Sequence, residues 1–155
     1  MRAQGERRSE MRMKEGGSIK KDITDSISEI VRNINLIKKM SQKIVDEKKE
    51  LLKNRIKSIA NSKIDEVRVY TEISILADKL DINEEIVRLN DHIKKFKSVL
   101  RDNDQIGRKL DFLAQEMFRE INTISSKSNS SEISHIVVDL KNYVDKIREQ
   151  CRNIV

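Results

Sequence analysis

Proline is absent from this sequence, and glycine occurs four times, with Gly5, Gly16 and Gly17 all near the start. Long stretches therefore contain neither of the two residues that most readily end a helix. Tryptophan is also absent and aromatics make up 3% of the chain, which is poor material for a compact β core. The one cysteine, Cys151, excludes an internal disulfide framework. No apolar run approaches the roughly 18 residues of a membrane span, and the opening MRAQGERRSE is too charged for a signal peptide. The expectation is a soluble, cytoplasmic chain with no membrane partner.

What the sequence does contain is charge and helical period. Charged residues are 37% of its 155 positions, a composition typical of long helices. The fold class expected is all-α: long antiparallel helical hairpins in a coiled-coil-like, oligomeric bundle. The net charge of +6 is uneven: residues 1–63 hold 17 Lys and Arg against 9 Asp and Glu, and residues 64–155 hold 15 against 17. The basic excess is densest from Lys38 and Lys39 to Lys63. Such a helix suits a phosphate backbone, or equally a solvated coiled-coil flank with i,i+4 pairing.

Residues 1–17 lack apolar period and are expected to be a charged, flexible lead-in to a helical domain spanning 18–155. Ile23, Ile27, Ile30, Ile34, Ile37 and Ile44 step by helical intervals from about Ser18, continuing less regularly through Leu51, Leu52, Ile56 and Ile59. A weak break at Asn61-Ser62-Lys63 precedes a segment from Ile64 to Leu80. Asp81-Ile82-Asn83-Glu84 has capping-box spacing. Ile82, Ile86, Leu89, Ile93, Phe96 and Leu100 then form a seam of coiled-coil type. A loop is expected at Asp102-Asn103-Asp104, followed by a helix packing through Leu110, Leu113, Met117, Ile121 and Ile124. Ser125–Ser131 reads as a turn. Ile133, Val137, Leu140, Val144, Ile147, Cys151 and Ile154 give the most regular seam, with Cys151 as a buried small hydrophobe.

Two helices carry polar stripes beside their seams. Asp81, Glu85, Arg88 and His92 step by four, three and four residues and so share one flank. Two carboxylates, a guanidinium and an imidazole in line suit metal-assisted phosphodiester hydrolysis, with the carboxylates on Mg²⁺ or Mn²⁺. They suit a salt-bridged flank just as well, and that is the commoner use. In GRKLDFLAQEMFREINTISSKS (107–128), Arg108, Asp111, Gln115, Arg119 and Asn122 line one flank. Lys109, Glu116, Glu120, Thr123 and Lys127 line another, and Phe112 lies between, opposite the apolar stripe. A helix dressed in this way is expected to be covered on more than one side. There is no Cys/His zinc spacing, phosphate-binding glycine loop or nucleophile elbow.

The segments EISILADKLDINEEIVRLNDH, GRKLDFLAQEMFREINTISSKS and VDLKNYVDKIREQCRNI resemble the C-terminal half of the YicC/YloC family of bacterial endoribonucleases. MRMKEGGSIKKDI (Met11–Ile23) resembles that family's M-R-x-x-E-G-x-x-L segment, so the likeness covers residues 11–155. The resemblance implies a metal-dependent RNase that cuts single strands and assembles as a hexamer. Its RNA partner, rather than DNA, would be cut with Mn²⁺ or Mg²⁺ as cofactor. The resemblance places Asp81, Glu84, Glu85, Arg88 and His92 on one family motif and Arg108, Asp111, Glu116, Arg119, Glu120 and Lys127 on a second. Of these the candidate catalytic residues are His92, Glu85, Glu116 and Glu120, and the candidate metal donors Asp81, Glu84, Glu85, Asp111 and Glu116. Candidate phosphate contacts are Arg88, Arg108, Arg119 and Lys127 from the motifs, with Lys38, Lys39, Lys94 and Lys95 from the basic stretches. Asp91 stands where the family usually has serine, and Cys151 where it has a branched aliphatic. Family members carry a β-rich N-terminal domain before the M-R-x-x-E-G segment, and only ten unmatched residues precede it here. The expectation is a helical C-terminal half, acting alone or with a separate N-terminal half. The alternatives are a non-enzymatic oligomerisation module and an RNA-binding adaptor.

Overall fold

A computed structural model describes residues 2–59, 66–101, 107–128 and 130–153. Five α-helices follow one another: α1 (Arg2–Ile59), α2 (Glu66–Leu80), α3 (Asn83–Arg101), α4 (Gly107–Ser128) and α5 (Ser131–Arg152). Among the described residues there is no strand, as the composition led us to expect. The breaks expected at Asn61–Lys63 and Asp102–Asp104 lie outside the described residues.

Four helices enclose one core. α3 packs on α4, α4 on α5, α5 on α1 and α1 on α3, which closes a ring of neighbours. Ion pairs set the directions. Lys127 reaches Glu85 while Glu120 reaches Arg88, so α4 runs back along α3; Arg148 reaches Asp111, so α5 runs back along α4. Lys38 to Lys49 of α1 sit beside Asp81 to Ile86 at the start of α3. Neighbours are thus antiparallel, as in an up-and-down bundle.

The apolar seams lie where their spacing predicts. Ile23 to Ile37 of α1, Ile82 to Leu100 of α3, Leu110 to Ile124 of α4 and Ile133 to Cys151 of α5 supply the core, with Ala114 also buried. Each large apolar side chain removed from water contributes about 1.5–3 kcal/mol, so the shared seams outweigh the weak intrinsic preference of any single helix. Past Met40 and Ile44 the stripe of α1 leaves this core, and Leu51 is 62% exposed. There α1 is accompanied by α2, none of whose described side chains is fully buried.

Three local expectations differ from the structure. First, α1 begins at Arg2 and not near Ser18. Residues 2–15 contain many good helix formers and no proline, and extending an existing helix is far easier than nucleating one. Second, the capping box at Asp81 does not form. Asp81 Oδ1 accepts from the Asn83 amide at 2.8 Å, an Asx-type turn, and Glu84 turns instead to Arg88. Third, Ser125–Ser128 is helical. The hydroxyls of Ser126 and Ser128 donate to the carbonyls of Asn122 and Ile124, at 3.1 and 2.7 Å, so they follow the helix rather than compete with it. Ser130, just before α5, is the N-cap, and its hydroxyl accepts from the Ile133 amide.

Candidate functional site

The α3–α4 packing brings the two polar stripes face to face. Arg88 of α3 is the hub. Its Nε donates to Glu120 Oε1 of α4 at 2.9 Å, and one terminal nitrogen donates to Glu84 Oε1 at 2.7 Å. The other lies 3.6 Å from Glu85 Oε1. Lys127 of α4 completes the set, its Nζ donating to Glu85 Oε1 at 2.6 Å. Three carboxylates thus meet two cations. The Glu85 side chain is 2% exposed and that of Glu120 10%, whereas Glu84 is open to solvent at 77%. The hydrogen bond to Glu120 is the main cause that raises the Arg88 pKa above its ordinary value, so this guanidinium stays charged.

Two polar atoms on this seam are buried without a hydrogen-bond partner: Glu85 Oε2 and His92 Nδ1. Unsatisfied buried acceptors are costly, which makes these atoms the natural places to look for a missing ligand. Seven residues of α3 separate them, about 10 Å of helical rise, so they would serve different atoms of a substrate. Counting four residues on from Arg88 and four back from Glu120 sets His92 and Glu116 in the next layer of the antiparallel pair. Glu116 itself lies 3.8 Å from Arg119.

The residues expected from the sequence therefore fall into separate groups. Glu85, Arg88, Glu120 and Lys127 converge, with Glu84 at the rim. Asp81 is held by its own turn. Asp111 faces α5, where Arg148 Nε donates to its Oδ1 at 3.1 Å and Gln115 to its other oxygen at 3.3 Å. Asp111 and Glu120 are nine residues apart on α4, about 14 Å of rise. Among the described residues no three His, Cys, Asp or Glu side chains gather as a cation site. The expected set Asp81, Glu84, Glu85, Asp111 and Glu116 is thus not assembled within this one chain, and Arg88 and Lys127 already neutralise its best-buried member.

The basic candidates are also dispersed. Arg108 and Arg119 lie on the outward face of α4, Lys94 and Lys95 on exposed α3 positions, and Lys38 and Lys39 are exposed on α1. Phe112 is 61% exposed, as its place opposite the stripe predicts. Sequence reasoning missed Arg148, which closes the α4–α5 flank; its signal was its place directly after the seam residue Ile147. It also missed Lys141, whose ammonium lies 5.6 Å from the centre of the Phe118 ring.

Residues 37–155 match the family described as endoribonuclease YicC-like, C-terminal. The chain belongs to that family. It is similar to a protein of Clostridioides difficile (strain 630) named probable endoribonuclease YicC, with 44% identity over 147 residues. That alignment covers 94% of this chain and 50% of the relative. A Haemophilus influenzae (strain ATCC 51907 / DSM 11121 / KW20 / Rd) protein of the same name is 33% identical over 144 residues, 93% of this chain and 50% of the relative. The chain spans about half the length of the curated relatives it matches. Both motifs on the α3–α4 seam, DINEEIVRLNDH and GRKLDFLAQEMFREINTISSKS, lie inside the matched region of this YicC-like domain.

Proposed function

We propose that this YicC-like domain is the helical part of an endoribonuclease that cuts RNA phosphodiester bonds. Family membership over residues 37–155 carries the reading. The α3–α4 seam supports a location for the chemistry, because it joins side chains of both motifs around two buried, unpartnered polar atoms. In this reading Arg88 and Lys127 stand near the scissile phosphate as positive charge. His92 is the proton carrier and Glu116 the neighbouring carboxylate. A divalent cation, Mn²⁺ or Mg²⁺, would supply charge neutralisation at phosphate when bound. Because the donors do not converge in one chain, no step is assigned through it.

Self-association and an N-terminal half that acts with this domain belong to the same proposal. In-line cleavage needs a phosphate held between walls that exclude bulk water, and helical rods alone offer few such walls. The leading assay is linearisation of a circular RNA, which only an endonuclease achieves. It is run with Mn²⁺, Mg²⁺ and chelator, with and without the N-terminal half of a relative. We expect slow cutting by this chain, faster cutting with the added half, and loss with chelator. His92→Ala, Glu85→Gln and Glu116→Ala should each lower cleavage by about 10²-fold. Equal rates in all three variants would remove the seam from the chemistry.

One observation favours a second reading. Both cations of the seam are already bound to carboxylates, as in a structural ion network that fixes helix register. RNA retarded in a gel but never linearised, under any metal or with the added half, would make the domain a binding or assembly module.

A further inference from the structure

Away from the ion-paired seam, α3 and α4 form an open groove of about 490 Å³ whose lining includes Lys95 and Val99 on one side and Arg108, Lys109, Phe112 and Leu113 on the other. Its composition is unusual for the surface of a charged bundle. Phe112 is one of only three phenylalanines in the chain and is 61% exposed. Three cations surround it. Among the described residues none of the three makes an ion pair, and no carboxylate lines the groove. The nearest acid in sequence, Asp111, is turned away to Arg148. On the neighbouring seam, by contrast, the cations are paired: Arg88 and Lys127 with Glu84, Glu85 and Glu120, and Arg119 lies 3.8 Å from Glu116.

An exposed aromatic face costs free energy in water, and three uncompensated cations around it repel one another. Both costs are offset by a ligand that brings a flat π surface and negative charge together. Sequence-tolerant binding of single strands uses this pair of features, base stacking on an aromatic ring with phosphates held by Lys and Arg. Double-stranded RNA would not be served, since its bases are already stacked inside the helix.

We infer that the groove between α3 and α4 is a seat for single-stranded RNA, in which an unpaired base stacks on Phe112 while Lys95, Arg108 and Lys109 hold the flanking phosphates. The inference rests on the RNA reading above and assigns the strand a position beside, and separate from, the ion-paired seam. It makes Phe112 a binding residue with no part in proton transfer.

The test uses the full chain and fluorescence anisotropy with a short labelled single-stranded RNA, beside an abasic oligonucleotide of equal length. Phe112→Ala should weaken RNA binding by about tenfold and leave abasic binding unchanged. Phe112→Trp should restore affinity, and because the chain has no tryptophan its emission should be quenched by RNA. Replacing Lys95, Arg108 and Lys109 with Gln should flatten the dependence of log K on log salt by about 0.7 per charge removed. Each variant is checked for an unchanged thermal midpoint and sedimentation mass. Wild-type affinity in Phe112→Ala, or equal affinity of wild type for the abasic strand, overturns the seat while the RNA reading stands. A lower sedimentation mass in Phe112→Ala also overturns it, since the ring would then be covered by a second copy. Absence of any RNA binding by the wild type sinks both.

Discussion

Glu85 shows how much rests on single contacts in this protein. Its carboxylate is 2% exposed, and one oxygen is shared by Lys127 at 2.6 Å and Arg88 at 3.6 Å. Removing one partner of a buried pair strands the other, whereas removing both together is far milder. We expect Lys127→Met to destabilise the fold by about 3 kcal/mol, and the double change with Glu85→Gln to recover most of that. Urea unfolding of the four corners of that cycle measures the coupling, and strictly additive losses would show that the pair is not coupled. Cys151 offers a second test at this scale. Burial is the main cause that pushes its thiol from the ordinary 9.0 up to about 12, with the nearby Asp111 charge adding to it. The folded state therefore keeps a proton that the unfolded chain loses. Stability from this group is complete below about pH 9 and is lost as pH rises toward 12. Native protein at pH 8.5 should resist alkylation, unfolded protein should not, and the alkaline stability loss should shrink in Cys151→Ala. Gly17 gives a stabilising change. It is helical, and a Cβ added there would meet nothing within 4 Å. Gly17→Ala should therefore raise stability by up to about 1 kcal/mol, scored as a shift in the urea midpoint.

At the scale of elements, the helices differ in how firmly they are held. α3, α4 and α5 each bury a seam along their described residues (Ile154 lies outside them), while α2 has no fully buried side chain among its described residues and exposes Tyr70 and Ile75. Leu140→Ala in α5 should cost about 2–5 kcal/mol, and Ile75→Ala in α2 about 0.5 kcal/mol or less. Amide exchange should rank the helices in the same order, with α5 protected to near the global limit and α2 exchanging first. Parity between α2 and α5 would mean that something outside the chain covers α2. The same contrast explains what could be read from the sequence. Seams were legible because burial repeats every three or four residues, so Ile82 to Leu100 and Ile133 to Cys151 declare themselves. Helix ends were not, because they depend on small choices such as Asp81 taking the Asn83 amide, or Ser128 bonding back to Ile124. The polar stripes were legible as stripes, but their sorting was not. Asp111 and Glu120 both flank the apolar stripe of α4, and only the packing sends one to Arg148 and the other to Arg88.

For the whole molecule, the governing fact is that four helices close a core while the far part of α1 and the α2 beside it carry a half-covered surface. Leu51, Val67 and Tyr70 are each more than 60% exposed there. If copies associate through that extension, a Leu51→Glu, Tyr70→Glu pair should lower the weight-average mass seen in sedimentation equilibrium and leave the bundle's thermal midpoint nearly unchanged. An unaltered mass would move association to another face. The α3–α4 seam and the Phe112 groove use different residues of the helix pair that carries both family motifs, so the proposed cutting site and the proposed RNA seat can be tested by separate mutations.

The length of α1 has a hydrodynamic consequence. Its 58 residues span about 87 Å at 1.5 Å each, whereas a globule of 155 residues would have a radius of gyration of about 15 Å. A straight rod of that length has, by itself, a radius of gyration of about 25 Å. A single copy should therefore tumble anisotropically, scatter X-rays as an elongated particle and elute from a sizing column well ahead of its 18.1 kDa mass. Elution volume alone would count one copy as several, so the number of subunits must come from light scattering or sedimentation equilibrium, where shape drops out.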